Sequence, residues 1–309
     1  SPAKPSYKNA GSYTVYARIE NSGKHSEAVS ADVVITKRQI TLTSASDEKV
    51  YDGQPLTKPE MTMTGDGFAD GEGLICNVTG TQTEVGESKN KLTYTLDKGT
   101  EAGNYEITKV EGTLKVTPVT NEVIVTIKGH TGNEKYDGKE KTVTGYEVEI
   151  SSSLYTANDF AFTGKAEIKK TDAGDYPMGL APESFENKNK NFKKVTFHIT
   201  DGNLTIEKRT VTLTSATDSK PYDGTALTNH NVTVDGDGFA DGEGATYSVT
   251  GTQTAVGESD NTFDYTLNGN TKADNYKITK NEGKLTVTPS DVEVVVTITG
   301  KQEIGRASC

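Results

Sequence analysis

The chain has 309 residues, 32% of them hydrophobic, no tryptophan, and a formal net charge of −11 from 44 acidic and 33 basic residues. No run approaches the ~18 apolar residues of a membrane-crossing helix, and the acidic balance lacks the basic footprint that nucleic-acid binding needs. Membrane insertion and nucleic-acid partners are therefore set aside. Threonine occupies 46 positions and glycine 31. Thr favours half-buried strands and Gly favours turns, so the expected class is mostly β, with small cores rather than one large one. Length alone suggests about two domains.

In chain order, residues 1–37 open with a proline-containing stretch and hold the markers Ala10-Gly11-Ser12-Tyr13 and Val33-Val34-Ile35. Residues 38–118 form a fuller module, here called A. Ile40-Thr41-Leu42-Thr43-Ser44 alternates at period 2, the mark of a half-buried strand. Met61-Thr62-Met63, Leu92-Thr93-Tyr94-Thr95-Leu96 and Leu114-Lys115-Val116 alternate likewise, and Cys76-Asn77-Val78-Thr79 and Tyr105-Glu106-Ile107 complete about six strands. Asp52-Gly53, Gly65-Asp66-Gly67, Asp70-Gly71-Glu72-Gly73 and Glu111-Gly112 supply turns. A different module, B, spans 119–208, with strands expected at 123–127, 146–150, 160–162 and 195–199 and one helical turn within 153–160.

Residues 209–289 then repeat 38–118 without gaps at an offset of 171, with 50 identities in 81 pairs. The offset continues beyond Pro289, where Glu293-Val294-Val295-Val296-Thr297-Ile298 answers Glu122-Val123-Ile124-Val125-Thr126-Ile127. The expected organisation is the C-terminal half of a B module (1–37), A (38–118), B (119–208), A (209–290) and the first strand of a further B (291–303). Residues 304–309 fall outside the pattern. The linkers Thr117-Pro118-Val119-Thr120, Glu207-Lys208-Arg209 and Thr288-Pro289-Ser290-Asp291 are short, and Pro stiffens two of them. An extended rod of sandwich-like or modified β-grasp modules is expected.

Tyr-Asp-Gly recurs at 51–53, 136–138 and 222–224, and is followed by Ala102-Gly103-Asn104-Tyr105, Ala173-Gly174-Asp175-Tyr176 or Ala273-Asp274-Asn275-Tyr276, with Leu-x-Val-Thr-Pro closing each A module. With Gly67-Phe68-Ala69-Asp70-Gly71-Glu72, this series resembles the MBG-type (YDG) repeats of Gram-positive bacterial cell-surface adhesins. Gly145-Tyr146-Glu147-Val148-Glu149-Ile150 and the stretch around Tyr176-Pro177-Met178-Gly179-Leu180 are similar to modules that alternate with them. The resemblance covers about residues 1–303. It implies wall-associated, non-enzymatic ectodomains of small β-modules, and for some relatives binding of host glycoproteins or immunoglobulins.

The acidic loop 65–73, repeated at 236–244, partly follows a calcium loop, but Phe stands at position 3 and no Glu at position 12. The plainer expectation is a Gly-rich turn whose Phe plugs the core, so no metal is assigned. Four scattered histidines (His25, His130, His198, His230) and the absence of nucleophile or phosphate motifs give no catalytic residues and no cofactor. Cys76, in a strand, is expected to act as a small hydrophobe. An isopeptide crosslink finds no fixed Lys, Asn and acid trio. The glycosylation sequons at Asn77, Asn203 and Asn231 carry weight only in a eukaryotic secretory host. The recurring Tyr51, Tyr136, Tyr222, Tyr105, Tyr176 and Tyr276 are expected in the frame, whereas Cys76/Tyr247, Tyr155 and Phe160 differ between modules and are better candidates for a binding face. No ligand-binding residue is assigned.

The expected function is a non-enzymatic stalk and multivalent display region of an extracellular, cell-wall-associated protein, with a host surface or secreted glycoprotein as partner. The alternatives are direct capture of immunoglobulin or mucin, and accessory β-modules of a secreted carbohydrate-active enzyme. The Val-rich segment 292–298 is expected to seek a strand partner, with the head of a second molecule as acceptor. Light scattering at rising concentration should then show association that disappears when 292–309 are deleted. A monomer at every concentration would reject strand donation.

Overall fold

The threonine-rich alternating segments become strands in the computed structural model, which describes residues 4–300. The fold is mostly β, many small sheets linked by turns and four short 3-10 helices among the described residues. The structure divides into two compact units. One holds 1–126, 148–163 and 182–198, and the other 127–147, 164–181 and the rest of the chain. The division therefore runs through the B module, whose strands Val123–Gly129, Tyr146–Ile150 and Val195–Thr200 each have residues in both units.

In the first unit, the A module has three sheets. Strand Arg38–Ser44 lies between Tyr105–Val110, which runs parallel to it, and Met61–Gly65, antiparallel. Gly112–Thr117 lies between Asp47–Val50, parallel, and Gly86–Asn90, antiparallel. Leu92–Leu96 pairs with Leu74–Val78. The six apolar segments are strands as expected, and Asp47–Val50 and Gly86–Asn90 are two more. Both are polar strands on the edges of their sheet, where no second apolar face imposes alternation. Ile40, Leu42, Leu92 and Tyr105 form one core, on which Phe68 and Cys76 pack, and Leu56, Leu114 and Val116 form another.

The two cores meet where three strand pairs turn from one sheet to the next, at Ala45, Lys91 and Glu111. Ser44 and Asn90 are buried there, at 2% and 0% exposure. Ser44 Oγ donates to the Asn90 carbonyl at 2.5 Å and accepts from the Gly112 amide at 3.0 Å. Asn90 Nδ2 donates to the carbonyls of Ala45 and Lys58 at 2.8 and 2.7 Å. A Cβ on Gly112 would lie 2.4 Å from the Ala45 carbonyl oxygen, so only glycine fits.

The head is a hairpin of Gly11–Ala17 and Val29–Ile35 whose register, Gly11 opposite Ile35 and Tyr13 opposite Val33, matches that of Gly174–Pro177 with Asn203–Glu207, where Gly174 lies opposite Ile206 and Tyr176 opposite Leu204. The part of the B module in this unit carries a phenylalanine cluster, Phe160, Phe162, Phe185 and Phe197. The helical turn expected within 153–160 is the 3-10 helix Ala157–Asp159. A capping box formed by Thr156 and Asp159 starts it.

In the second unit, strands Arg209–Ser215 to Gly283–Thr288 reproduce those of the first A module, with Val211, Leu213, Phe263 and Tyr276 buried as their counterparts are, and Leu227, Leu285 and Val287 forming a core. Ser215, Asn261 and Gly283 repeat the buried polar node. The B residues of this unit form the sheet Thr131–Lys135, Asn203–Glu207, Gly174–Pro177, and the pair Lys141–Thr144 with Glu167–Lys170. At the corresponding level of the B module the carboxylate of Asp201 accepts from the amides of Gly179 and Leu180 at 2.9 and 2.8 Å. The segment expected as a strand at 292–298 takes none, and Val292, Val294, Val295, Val296 and Ile298 are exposed. Residues 301–309, which include Cys309 and the stretch read as foreign to the repeat, lie outside the described residues, as do 1–3.

Replacing Asn90 or Asn261 by Ala takes the donor from two part-buried carbonyls and also removes a buried Oδ1 that has no partner, so it should cost about 1–3 kcal/mol in denaturant unfolding. Asn77→Ala, on an exposed strand position, should stay within about 0.5 kcal/mol.

Candidate functional site

Several of the conspicuous tyrosines and carboxylates of the repeat gather at joints between modules, whereas Tyr222, expected in the frame, is 45% exposed. In the second unit, Thr131–Lys135 delivers Tyr136 to the A module, and the ring is 4% exposed. Its hydroxyl donates to Glu243 Oε1, while Tyr276 donates to Glu243 Oε2 at 2.8 Å, so one carboxylate receives two phenols. The two rings meet edge-on at 5.6 Å. Burial, then the neighbouring Glu243, push the Tyr136 phenol well above its ordinary pKa, and burial pushes Tyr276 up to about 12. Arg209 donates through Nε to the Gly238 carbonyl at 2.9 Å and through Nη1 to the Tyr136 carbonyl at 3.3 Å. Lys135 Nζ meets Asp237 Oδ1 at 2.7 Å, holding that carboxyl below the usual carboxylate range. Asn275, fully buried, accepts from the Ala173 amide at 2.7 Å and donates to Asp172 Oδ1 at 3.0 Å. Lys272 pairs with Asp172 at 2.7 Å.

The acidic Gly-rich loop thus has a role. Phe68 and Phe239 pack on Tyr105 and Tyr276, at centroid distances of 4.8 and 5.2 Å, as the core plug expected. The Glu that follows accepts hydrogen bonds from the phenols. No group of three His, Cys, Asp or Glu able to hold a metal is found among the described residues.

In the first unit the A module meets B residues through different chemistry. Tyr51, from the same Tyr-Asp-Gly motif, packs edge-on against Phe192 at 5.8 Å, and Phe192 against Tyr155 at 5.1 Å. Asn191, 4% exposed, accepts from the Val85 amide at 2.8 Å and donates to Glu84. The linker residue Val119 is itself bridged to Phe192. Beside this joint lies an open, polar cleft of about 470 Å³ lined by Tyr51, Glu84, Asn158, Asp159 and 188–191.

Two residues expected on a binding face belong elsewhere. Tyr155 is 2% exposed, its hydroxyl held by the Asp159 carbonyl and Asn187, and Phe160 is half-buried in the phenylalanine cluster. Their difference from the A module reflects the B core. Cys76 lies opposite Tyr94 and is half-buried against the core, where Tyr247 and Tyr265 stand in the second copy. The histidines do not converge. His130, for example, places Nδ1 2.7 Å from the Thr144 carbonyl.

The joint in the second unit should respond to pH at both ends. The depressed pKa of Asp237 and Asp172 gives stabilisation that is complete above about pH 4 and is lost as pH falls below it. The raised phenols give stabilisation complete below about pH 10 and lost as pH rises beyond it. Thermal melting against pH should therefore show two limbs. Tyr136→Phe should flatten the alkaline one and lower stability at neutral pH by about 1–3 kcal/mol.

Among models of known protein families none matches this chain, and comparison with curated proteins likewise returns no match.

Proposed function

We propose that the chain is a non-enzymatic tandem-repeat segment of a bacterial cell-surface protein, acting outside the cell as a stalk and multivalent display region. The observation that carries this reading is the use made of the repeat's most conspicuous side chains. Tyr136, Tyr276, Glu243, Lys135, Asp237 and Asn275 hold one module to the next in the second unit, and Tyr51, Asn191 and Phe192 do so in the first. Residues reused in this way favour a series of β-modules held to one another by recurrent side-chain contacts. The MBG-type resemblance supports the same reading, as does the duplication of the whole 38–118 module. Duplicated modules raise avidity without any new contact when each carries the same surface.

A second reading, direct capture of a host glycoprotein such as immunoglobulin or mucin, is favoured by the polar cleft beside Tyr51 and Asn191. Its amide, carboxylate and lysine lining suits a hydroxyl-rich ligand. The two readings separate in a pull-down of serum and mucus proteins on the immobilised chain. The stalk reading expects no stoichiometric partner. Retention of an immunoglobulin or mucin that Asn158→Ala and Lys188→Ala together abolish would replace it with the capture reading.

A further inference from the structure

Gly269 is a glycine that the fold of the second A module does not require. Its φ lies outside the left-handed region, and a Cβ built on it would meet nothing within 4 Å. Its counterpart in the first A module is Lys98. Gly269 follows Asn268, and this is the only asparagine–glycine pair in the sequence. The pair lies in the turn between Phe263–Leu267 and the 3-10 helix Ala273–Asn275, and both residues are exposed.

An asparagine in such a turn is open to attack by the backbone nitrogen that follows it. Glycine leaves that approach clear, because it has no side chain and the freest backbone. The carboxamide of Asn268 and the amide of Gly269 have no hydrogen bond among the described residues, so neither is held away from the other. The asparagines of the module's interior are protected on both counts. Asn261 and Asn275 are fully buried, their amides donate to carbonyl or carboxylate oxygens, and Thr262 and Tyr276 follow them.

The same turn exists in the first A module with a different residue. The Asn268 amide donates to the Gly244 carbonyl at 2.9 Å and its carbonyl accepts from Thr271 at 2.9 Å, as Asp97 does with Gly73 and Thr100 at 2.9 and 3.1 Å. The side chains take the same place, for a Cβ on Gly244 would lie 3.2 Å from Asn268 Nδ2 and one on Gly73 2.6 Å from Asp97 Oδ2. A carboxylate at 268 is therefore compatible with the turn, but a lengthened backbone is not. Thr271 Oγ1 accepts from the Gly244 amide at 2.8 Å, next to the Glu243 that receives both phenols. Lys272 and Asn275, just beyond, hold Asp172 and Ala173.

We propose that Asn268 is a site of spontaneous covalent modification that loosens the joint of the second unit as the protein ages. The Gly269 nitrogen bonds to Asn268 Cγ as the Cγ–Nδ2 bond breaks, and the Gly269 amide proton leaves with Nδ2 as ammonia. The cyclic succinimide then takes up water at either carbonyl. Opening at one gives aspartate, the residue of the first copy. Opening at the other gives isoaspartate, in which the main chain runs through the former side chain and gains a methylene. Water is the only other reactant, and nothing is oxidised or reduced.

The test is prolonged incubation of the intact chain in warm, mildly alkaline buffer, followed by peptide mapping and enzymatic methyl labelling of isoaspartate. The expected result is a growing fraction of both acidic isomers at 268, with a falling melting temperature. Gly269→Ala, which fits the turn in both φ and space, should abolish both changes over the same period. Freshly prepared Asn268→Asp should melt as the fresh parent does, separating the added charge from the altered backbone. Absence of acid at 268, or equal formation in Gly269→Ala, would overturn the site. Isoaspartate accumulating with melting unchanged, or fresh Asn268→Asp melting as low as the aged parent, would overturn the loosening by the altered backbone.

Discussion

The A module depends on one buried polar node. Ser44, Asn90 and Gly112 meet at the level where strands leave one sheet and enter the next, and every hydrogen bond there joins two segments distant in sequence. Two small apolar cores, each of only a few residues, could slide or splay if the turns between them were loose. The asparagine amide donates to two part-buried carbonyls at the bends, at the expense of its own buried Oδ1, which has no partner among the described residues. Glycine at 112 is what lets the chains approach closely enough for the serine to bridge them. The same three residue types stand at 215, 261 and 283. The B module meets the same need with Gly129 against Gly202 and the carboxylate of Asp201.

With the bends fixed, the ends of each module become dependable surfaces. Tyr276 can hold Glu243 in position only because its own strand is parallel-paired to Arg209–Ser215, which also carries the arginine that grips the acidic loop. The loop's glycines let it turn tightly, its Phe anchors it in the core, and its Glu is left facing the neighbouring module. A feature that suggests a cation loop in the sequence is, in three dimensions, the receiving half of a joint. Its carboxylates are pointed at phenols and lysine and do not converge on one point.

Much of this was legible in the sequence, for identifiable reasons. Alternation of Thr with Leu or Ile marks the central strands because one face of each is buried, and the offset of 171 transfers that reading from one A module to the other. The Phe of the acidic loop was recognisable as a core residue because a large apolar side chain amid glycines has nowhere else to go. The edge strands Asp47–Val50 and Gly86–Asn90 were not legible, since their pairing is satisfied by backbone and their side chains are polar. The joints were hidden for a different reason. Tyr136 and Glu243 are 107 residues apart, and nothing local distinguishes a tyrosine that crosses to another module from one that stays at home. Tyr155 and Phe160 looked like surface novelties because they lack counterparts in the A module, but a different core also produces unmatched aromatics.

The two kinds of joint have an evolutionary corollary. The first A module presents Tyr51 and Glu84 to an asparagine and a phenylalanine, whereas the B module presents a tyrosine and a lysine to acids of the second A module. These ends are not interchangeable, so a gene rearrangement that inserted or deleted a single module would bring two mismatched faces together and strand charges between them. Recombination that moves an A and a B together preserves every junction. The unit that keeps both joints matched is therefore the 171-residue pair rather than the roughly 85-residue interval between successive Tyr-Asp-Gly motifs.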